Sequence, residues 1–452
     1  MKILILNGSP KGKYSVTLQT CNYLALKFPE HEFDVLHVGQ QIKKFQRDFS
    51  SAAEKLRWAE LILFSYPIYT FIAPSQLHYF IDLMKKSDID FSGKFATQIT
   101  TSKHFYDITA HKYVEDNCYD MNLKVIKGLS ADMDDLTTDK GQKEATEFFK
   151  LVLWSCENDY HEVNIPKAKA KAPVKVTPAD SIVAKGSGKV VIVTDCEKDN
   201  AQLKSMIKRF RAVLPVDSKV VNIGEYPIKG GCLGCFNCAV SGKCIYKDKF
   251  DDFLRNEIQS GSAIVYAFTI KDHSMGPRFK MYDDRQFCNG HRTVTMGMPV
   301  GYLVSGEYSK EANLQMILEG RSEVGGNFLA GVATDEVCPD IEIDRLAKTL
   351  AYAIQNAYTK PANFYGVGGM KIFRDLIYIM QGLMKADHQF YKAHGQYDFP
   401  QKQKGRLIAM YLVGSLMTLP KGKMPMGNMM NEGMLMPYKK IMEKAKKEQE
   451  NN

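Results

Sequence analysis

The chain has few features that would tie it to a membrane, a nucleic acid or an oxidising compartment. Its longest apolar run, residues 407–420, is shorter than the roughly 20 residues that a membrane-spanning helix needs. The sequence shows no signal peptide and no disulfide framework, so we expect a reducing, cytoplasmic compartment. No nucleic-acid-binding motif accompanies the net charge of +9, most of which falls after residue 358, so no nucleic-acid partner is expected.

Familiar nucleotide fingerprints are also missing. The segment after the first predicted strand, residues 7–17, is neither a Walker A sequence nor a G-x-G-x-x-G sequence. It is nevertheless rich in Gly, Ser and Thr, and it separates a predicted strand at 2–6 from a predicted helix that ends near residue 27. Loop N–H groups, hydroxyls and a helix dipole together favour an anion. This phosphate loop, as we call residues 7–17, predicts a phosphate site, with an ordinary strand–helix turn as the alternative.

The order of predicted elements repeats once along the chain. Strands alternating with helices are expected at 2–6, 33–38, 61–65, 95–100 and 123–128, and again at 189–194, 218–223, 263–268, 300–305 and 327–332. This alternation is typical of a parallel sheet in an α/β protein. We therefore expect α/β domains at 1–157 and 189–357, joined by a Pro-, Ala- and Lys-rich linker at 158–188.

A basic helical region, residues 358–452, is expected to follow the two domains. Its segment 424–437 is rich in Met, which packs adaptably, so a cover over another surface is the default interpretation. Contact with a membrane surface through an amphipathic helix is the minority alternative.

Four of the 10 cysteines fall within one short segment, the cysteine loop at residues 232–244, with the spacing C-x2-C-x2-C-x5-C. Such close thiolates suit one polynuclear iron–sulfur cluster. A zinc site and redox-active or vestigial thiols stay open, although structural zinc sites usually come as two separated cysteine pairs. The other cysteines show no pairing pattern and are expected to be ordinary thiols: Cys21, Cys118, Cys156, Cys196, Cys288 and Cys338.

The two predicted domains differ in the residues that could carry chemistry. Where the first has its phosphate loop, the second has Asp195, Glu197 and Asp199, which would repel a phosphate. Where the second has its cysteine loop, the first has residues 39–44, which contain no cysteine. An aromatic segment at 65–74 follows the third strand of the first domain, at the sheet edge where such folds bind ligands. One half therefore keeps the anion site and the other keeps the thiols.

At this point the residues resemble a known family. Features of the NADPH-dependent FMN reductase branch of the flavodoxin-like fold appear as Gly8-Ser9-Pro10-Lys11 with Ser15 and Thr17, Pro67-x-Tyr69, and Gln76-x3-Phe80-Ile81-Asp82. The cysteine loop, with Asp248, Asp251 and Asp252 behind it, resembles the iron–sulfur flavoproteins of that branch, which carry FMN and a [4Fe-4S] cluster. The resemblance covers about residues 1–157 and 189–357.

The resemblance implies two tandem flavodoxin-like, doubly wound, parallel five-stranded sheets with a helical C-terminal extension. It places FMN contacts on Ser9, Lys11, Ser15, Val16, Thr17, Pro67, Ile68, Tyr69, Thr70, Phe71, Thr101 and Ser102. It places cluster ligands on Cys232, Cys235, Cys238 and Cys244. One FMN per chain is expected, because the second domain has no Pro-x-Tyr at the matching strand end. No catalytic side chain is expected, since flavin chemistry needs none, and NAD(P)H as donor is implied by the resemblance alone.

The expected function is that of an oxidoreductase in which FMN in the first domain exchanges electrons with a [4Fe-4S] cluster in the second. Family members commonly dimerise, so the two halves of this chain are expected to form an internal pseudo-dimer, with homo-oligomerisation left open. The partners would be a small-molecule or protein electron donor and acceptor. Two alternatives remain: an NAD(P)H-dependent FMN or quinone reductase without a cluster, and a non-enzymatic flavin-binding interaction protein.

Overall fold

The computed structural model of the chain describes residues 1–164 and 171–417, with residues 435, 442, 443 and 447 beyond them. The chain forms two compact units, Met1–Ala393 and His394–Asn452, and both sheets belong to the first. Apart from residue 435, the predicted Met-rich segment 424–437 lies outside the described residues. Within the described part of the chain, no helix combines the length and apolar character needed to cross a membrane.

The first sheet grows from short apolar runs that alternate with helices. In β1, residues 3–6 are almost completely buried, as expected of a parallel strand covered on both faces. The strands are β1 (Lys2–Asn7), β2 (Glu32–Leu36), β3 (Leu61–Pro67), β4 (Phe95–Ser102), β5 (Lys124–Val125) and β6 (Leu129–Asp132). The helices are α1 (Val16–Lys27), α2 (Val38–Phe45), α3 (Ser50–Trp58), α4 (Ser75–Lys86), α5 (Asp107–Asp120) and α6 (Asp139–Glu157). The strands are parallel in the order β2-β1-β3-β4-β5.

The edge strand of this sheet differs from the prediction. A single strand was expected at 123–128, but β5 holds two residues and β6 then pairs with β4 farther along. At Gly128 a Cβ would lie 2.5 Å from the carbonyl oxygen of Gln98, so the backbone passes too close for regular pairing. The six strands of the first sheet therefore occupy five positions.

The second sheet repeats this winding. Its strands are β7 (Gly186–Thr194), β8 (Val216–Asn222), β9 (Ala263–Thr269), β10 (Pro299–Ser305) and β11 (Phe328–Thr334). Its helices are α7 (Ala201–Val213), α8 (Asn237–Ser241), α9 (Phe250–Phe253), α10 (Gly276–Arg285), α11 (Ala312–Val324) and α12 (Pro339–Gln355). The parallel order β8-β7-β9-β10-β11 matches that of the first sheet and is the flavodoxin-like order. Strand β7 begins inside the predicted linker.

Helices from the two halves pack directly on each other, α4 against α10 and α5 against α11. The contact is polar as well as apolar. Fully buried His78 places Nδ1 2.7 Å from Asp272 Oδ2, and the Tyr113 hydroxyl donates to the same oxygen at 2.9 Å. Asn313 Nδ2 donates to the Thr109 carbonyl at 3.0 Å. The buried faces of these helices are therefore partly polar, and the apolar pattern did not predict α5 or α11.

Helices follow the second sheet, as the sequence predicts for the region after residue 357. Within the expected helical region 358–452, α13 (Phe364–Ile379) starts at a cap in which Asn363 Oδ1 accepts from Tyr365 N at 2.9 Å. Gly366 allows this first turn to pass close to the Glu323 carbonyl at the end of α11. Helix α14 (Lys385–Ala393) follows and packs on α8. The second compact unit contains α15 (Lys404–Met417).

Candidate functional site

One cavity of about 1460 Å³, including its open mouth, lies at the carboxyl ends of the first sheet. Every residue predicted to contact FMN lines it except Phe71, which is buried and lines a smaller adjoining cavity. The wall is formed in part by Ser9, Lys11, Ser15, Val16, Thr17, Pro67, Ile68, Tyr69, Thr70, Thr101 and Ser102. All four thiols of the cysteine loop line the same cavity: Cys232, Cys235, Cys238 and Cys244. The structure thus brings both predicted sets of residues to one place.

The phosphate loop is folded back on itself by internal hydrogen bonds. Asn7 Nδ2 donates to the Gly12 carbonyl at 2.9 Å, and Ser9 N donates to Asn7 Oδ1 at 3.2 Å. The Ser15 hydroxyl caps α1 by accepting from Leu18 N at 3.3 Å. The start of α1, with its unpaired N–H groups and positive dipole end, therefore lies at the cavity wall, where it favours an anion.

Neighbouring elements hold the phosphate loop in place. Thr17 Oγ1 lies 2.7 Å from Thr101 Oγ1, which joins the loop to the end of β4. At Gly39 in α2, a Cβ would lie 2.3 Å from a carbonyl oxygen of the loop, so α2 packs directly against its backbone. The ammonium of Lys11 lies over the ring of Phe236 at 5.4 Å, which connects the phosphate loop to the cysteine loop.

Residues 67–72, which begin at the last residue of β3, form a strained turn that we call the ring loop. Tyr69 N donates to the Ile72 carbonyl at 2.8 Å, and Ile72 N returns a bond of 3.2 Å. Between them, Thr70 and Phe71 have positive φ angles of 42° and 76°. A turn with two such residues normally takes Asn and Gly, and each non-glycine residue in this region costs roughly 1–3 kcal/mol. Other contacts must therefore stabilise it.

Those contacts come from α10 of the second half. Lys280 and Asp284 are both fully buried and form an ion pair one helical turn apart. Lys280 Nζ donates to the Tyr69 carbonyl at 2.8 Å, and the Thr70 hydroxyl donates to Asp284 Oδ1 at 2.9 Å. Asp284 Oδ2 also accepts from Ser75 N at 2.7 Å, at the start of α4. The second half therefore fixes the conformation of the ring loop in the first.

The cysteine loop turns sharply beside the ring loop. Gly234, Phe236 and Gly242 have φ angles of 61°, 61° and 75°. A Cβ on Gly234 would lie 2.0 Å from the Tyr69 hydroxyl, so only glycine allows this approach. Burial raises the pKa of Tyr69 well above its usual value, and its hydroxyl stays protonated. Gln76 Nε2 donates to the Cys232 carbonyl at 3.2 Å, a second contact from the first half.

Burial favours the protonated form of two thiols of the cysteine loop, Cys232 and Cys238. Burial raises the pKa of Cys232 well above its usual value and that of Cys238 to about 11. Across residues 1–164 and 171–417, no three His, Cys, Asp or Glu side chains are arranged to hold a metal ion. A zinc ion needs four ligands around one point, whereas the thiolates of a four-iron cluster each bind a different iron. The arrangement is therefore not a preformed single-ion site.

Several cavity residues were missed in the sequence. Arg285, Phe287 and His291 come from the end of α10 and the segment after it. On the opposite side, α13 covers the cavity with Phe373, whose ring stacks on Phe105 with centroids 4.5 Å apart, and with Ile372 and Leu376. The only sign in the sequence that the end of α10 contributes to a site was the run of acidic and basic residues at 283–285 inside an otherwise amphipathic helix. Nothing in the local pattern of 364–379 indicates what that helix covers.

The matching edge of the second sheet carries different groups. Asp195 is only 4% exposed there, burial raises its pKa, and Lys271 Nζ lies 3.8 Å from its Oδ2. The predicted linker also reaches this edge, because Val174 N donates to the carbonyl of Asp335 at 2.7 Å. Val176 is buried in the core of the second half. These contacts give a physical reason for the prediction of one anion site per chain.

Comparison with known proteins finds a family match in the first half of the chain. Residues 1–128 match the family model of NADPH-dependent FMN reductases. No curated protein sequence matches the chain.

Among solved structures, the chain is similar to an NADH:FMN oxidoreductase (EMOB) in its apo form, with 20% identity, a TM-score of 0.30 and coverage of 37% of this chain and 96% of that one. It is also similar to an FMN-dependent NADH-azoreductase from Bacillus anthracis, with 13% identity, a TM-score of 0.28 and coverage of 33% and 98%. A putative quinone reductase from Klebsiella pneumoniae matches with 17% identity, a TM-score of 0.26 and coverage of 34% and 84%. Residues 1–128 therefore form a domain similar to the NADPH-dependent FMN reductases, which are flavin-dependent oxidoreductases.

Proposed function

We propose that this chain is an iron–sulfur flavoprotein in which FMN, bound by the first half, exchanges electrons with a [4Fe-4S] cluster held by Cys232, Cys235, Cys238 and Cys244. The observation that carries the proposal is the shared cavity, which is lined by the phosphate loop, the ring loop and all four thiols. NAD(P)H is the proposed donor, and the acceptor is a small molecule or a protein.

The residues at the first sheet suit FMN. The phosphate would meet the start of α1, the buried hydroxyls of Ser9 and Thr17, and the ammonium of Lys11. The ring would meet the ring loop, whose backbone is held in one conformation by Lys280 and Asp284. None of these groups has to donate or accept a proton for the flavin to react, so their work is binding and orientation.

The residues at the cysteine loop suit a cluster. Four thiols share the cavity wall, Gly234 lets the backbone lie against Tyr69, and α13 shields the space with apolar side chains. Arg285 lines the same space, and its Nε is buried without a hydrogen-bond partner among the described residues. When bound, FMN supplies both two-electron and one-electron chemistry, and the cluster supplies one-electron chemistry.

The two halves supply this pair of sites as an internal pseudo-dimer. The contact between the halves is formed by helices in equivalent positions of the two folds, α4 with α10 and α5 with α11. Each half would keep the site that the other has lost. Electron transfer between FMN and the cluster then needs no second copy of the chain.

The proposal is tested by anaerobic purification of the full chain, followed by counts of iron, acid-labile sulfide and FMN. We expect about four irons and one FMN per chain. Cys235→Ala should lose iron and keep FMN, whereas Cys338→Ala, a matched exposed cysteine outside the cavity, should keep both. A wild-type chain with one FMN and no iron, even after reconstitution, would rule the cluster out.

The second candidate is an NAD(P)H-dependent FMN or quinone reductase without a cluster. It is favoured by the extent of the family match, which ends at residue 128 and does not reach the cysteine loop. Under this candidate, Cys235→Ala would leave NAD(P)H oxidation unchanged with every acceptor. Under the first proposal, in which the cluster takes electrons from FMN, the same variant would lose electron transfer to one-electron acceptors.

A further inference from the structure

We propose that Arg285 is a positioning residue for the cysteine loop: its guanidinium closes the two ends of the loop, and its Nε donates a hydrogen bond to a sulfur atom of the cluster. This inference rests on the proposed function, because it assigns a role toward the cluster. It goes further by naming a side chain that sets how firmly the cluster is held and at what potential it works.

The first argument is the place of the guanidinium. Arg285 is the last residue of α10 and only 1% exposed. Its Nη1 and Nη2 donate to the two carboxylate oxygens of Asp248 at 2.9 and 2.8 Å, a bidentate pair. Nη1 also donates to the Gly230 carbonyl at 3.0 Å. Gly230 precedes Cys232 and Asp248 follows Cys244, so one side chain closes the loop at both ends.

The second argument is that this guanidinium cannot turn. Its carbon lies 4.3 Å from the centre of the Tyr246 ring and 4.7 Å from that of Phe250. The Tyr246 hydroxyl donates in turn to the Gly231 carbonyl at 3.2 Å. Asp248, the partner of Arg285, also accepts from Phe250 N at 3.3 Å. With its plane held in this way, the direction of the Nε–H bond is fixed.

The third argument is the unused donor. Within the described part of the chain, Arg285 Nε is buried and has no hydrogen-bond partner, although the side chain lines the cavity with the four thiols. A buried donor without an acceptor is costly, and native proteins rarely keep one without a function. Sulfur atoms of a bound cluster accept hydrogen bonds, and such bonds change its reduction potential.

A second arginine in the same half shows what a purely structural pair looks like. Arg209 also makes a bidentate pair, with Asp344, but it does so through Nε at 2.9 Å and Nη2 at 2.8 Å. Its Nη1 donates to the Thr177 carbonyl at 3.0 Å. Arg209 lines neither cavity and keeps no Nε donor in reserve. The free Nε of Arg285 is therefore not a general property of such pairs.

The test uses the full chain, reconstituted anaerobically with iron and sulfide. Two variants act on the pair in opposite ways. Arg285→Lys keeps the positive charge but removes both the bidentate pair with Asp248 and the Nε donor. The loss of the pair should lower the iron count, and the loss of the hydrogen bond to sulfur should shift the midpoint potential of the cluster downward. Asp248→Asn keeps Nε and leaves the arginine charge without its counter-ion. It should shift the potential upward, because an unneutralised positive charge favours the reduced, more negative cluster.

Arg209→Lys is the matched control and should change neither quantity. The amount of FMN per chain reports whether each variant is folded. If Arg285→Lys does not fold, the shift of the midpoint potential in Asp248→Asn decides the test. The inference is overturned if the variants hold wild-type iron at the wild-type potential, or if both shift the potential in the same direction. A wild-type chain that takes up no iron overturns the proposed function and this inference together, which distinguishes the two failures.

Discussion

Replacing Lys280 by Met should weaken FMN binding from the other half of the molecule. Lys280 is fully buried, pairs with Asp284, and donates to the Tyr69 carbonyl at 2.8 Å. Removing one partner of a buried ion pair leaves an uncompensated charge and costs about 3–5 kcal/mol of stability. The same change releases the turn at Thr70 and Phe71, whose positive φ angles are strained.

The effect on FMN follows from that strain. If the turn relaxes in the absence of FMN, binding must restore one strained residue at a cost of roughly 1–3 kcal/mol. That cost corresponds to about a 5- to 150-fold weaker affinity for FMN. Flavin fluorescence titration of the apoprotein measures the affinity, and urea unfolding measures the stability.

Two controls separate the local effect from general destabilisation. Arg209→Met breaks another ion pair of the second half, far from the ring loop in the sequence, and should lower stability while leaving FMN affinity unchanged. Adding Asp284→Asn to Lys280→Met removes the orphaned charge and should recover much of the stability but not the affinity, because the donor to Tyr69 is still missing. A folded Lys280→Met protein with wild-type FMN affinity would refute the reasoning.

Two further predictions concern the contact between the halves and the cysteine loop. Burial alone would lower the pKa of His273, but its hydrogen bonds to Asp120 and Glu311 raise it from 6.5 to about 9. Its stabilising contribution, about 3 kcal/mol from the shift, is complete below pH 6.5 and is lost as the pH rises through 9. Urea unfolding between pH 6 and 10 should show this slope, and His273→Gln should abolish it; an unchanged slope would contradict the assignment. Gly234→Ala should lower the iron count, because its Cβ would lie 2.0 Å from the Tyr69 hydroxyl at a φ of 61°. Adding Tyr69→Phe removes the hydroxyl and should restore part of the iron. If no iron is recovered, the defect comes from the backbone conformation at residue 234 and not from the contact with the hydroxyl.

Much of the architecture could be predicted from the sequence because buried parallel strands leave a strong local pattern. The predicted strands 2–6 and 61–65 contain the continuous apolar runs 3–6 and 61–64, and both became central strands. The phosphate loop and the cysteine loop were visible because their chemistry is concentrated in consecutive residues. Strand 123–128 was wrong in its extent, because the close approach of Gly128 to Gln98 is not a local property.

Helices at the contact between the halves could not be predicted in this way. The buried residues of α5 include Thr109, Glu115 and Asn117, which a sequence pattern places on a solvated face. Two of them face the second half, because Asn313 Nδ2 donates to the Thr109 carbonyl and Asn117 Nδ2 donates to the Asp272 carbonyl. The same reason hid the roles of Lys280, Asp284 and Arg285. Their partners lie far away in the sequence, so only the packed structure identifies a function for each.

The end of α10 has a consequence for how the two sites can vary. Asp284 holds the ring loop and the next residue, Arg285, holds the cysteine loop. Consecutive residues of a helix have a fixed separation and point about 100° apart. The spacing between the two loops is therefore set by a single peptide unit of a rigid helix. In an assembly of two separate chains, that spacing would exist only at concentrations that keep the chains together. Here it is independent of dilution, and neither site can move without displacing the other.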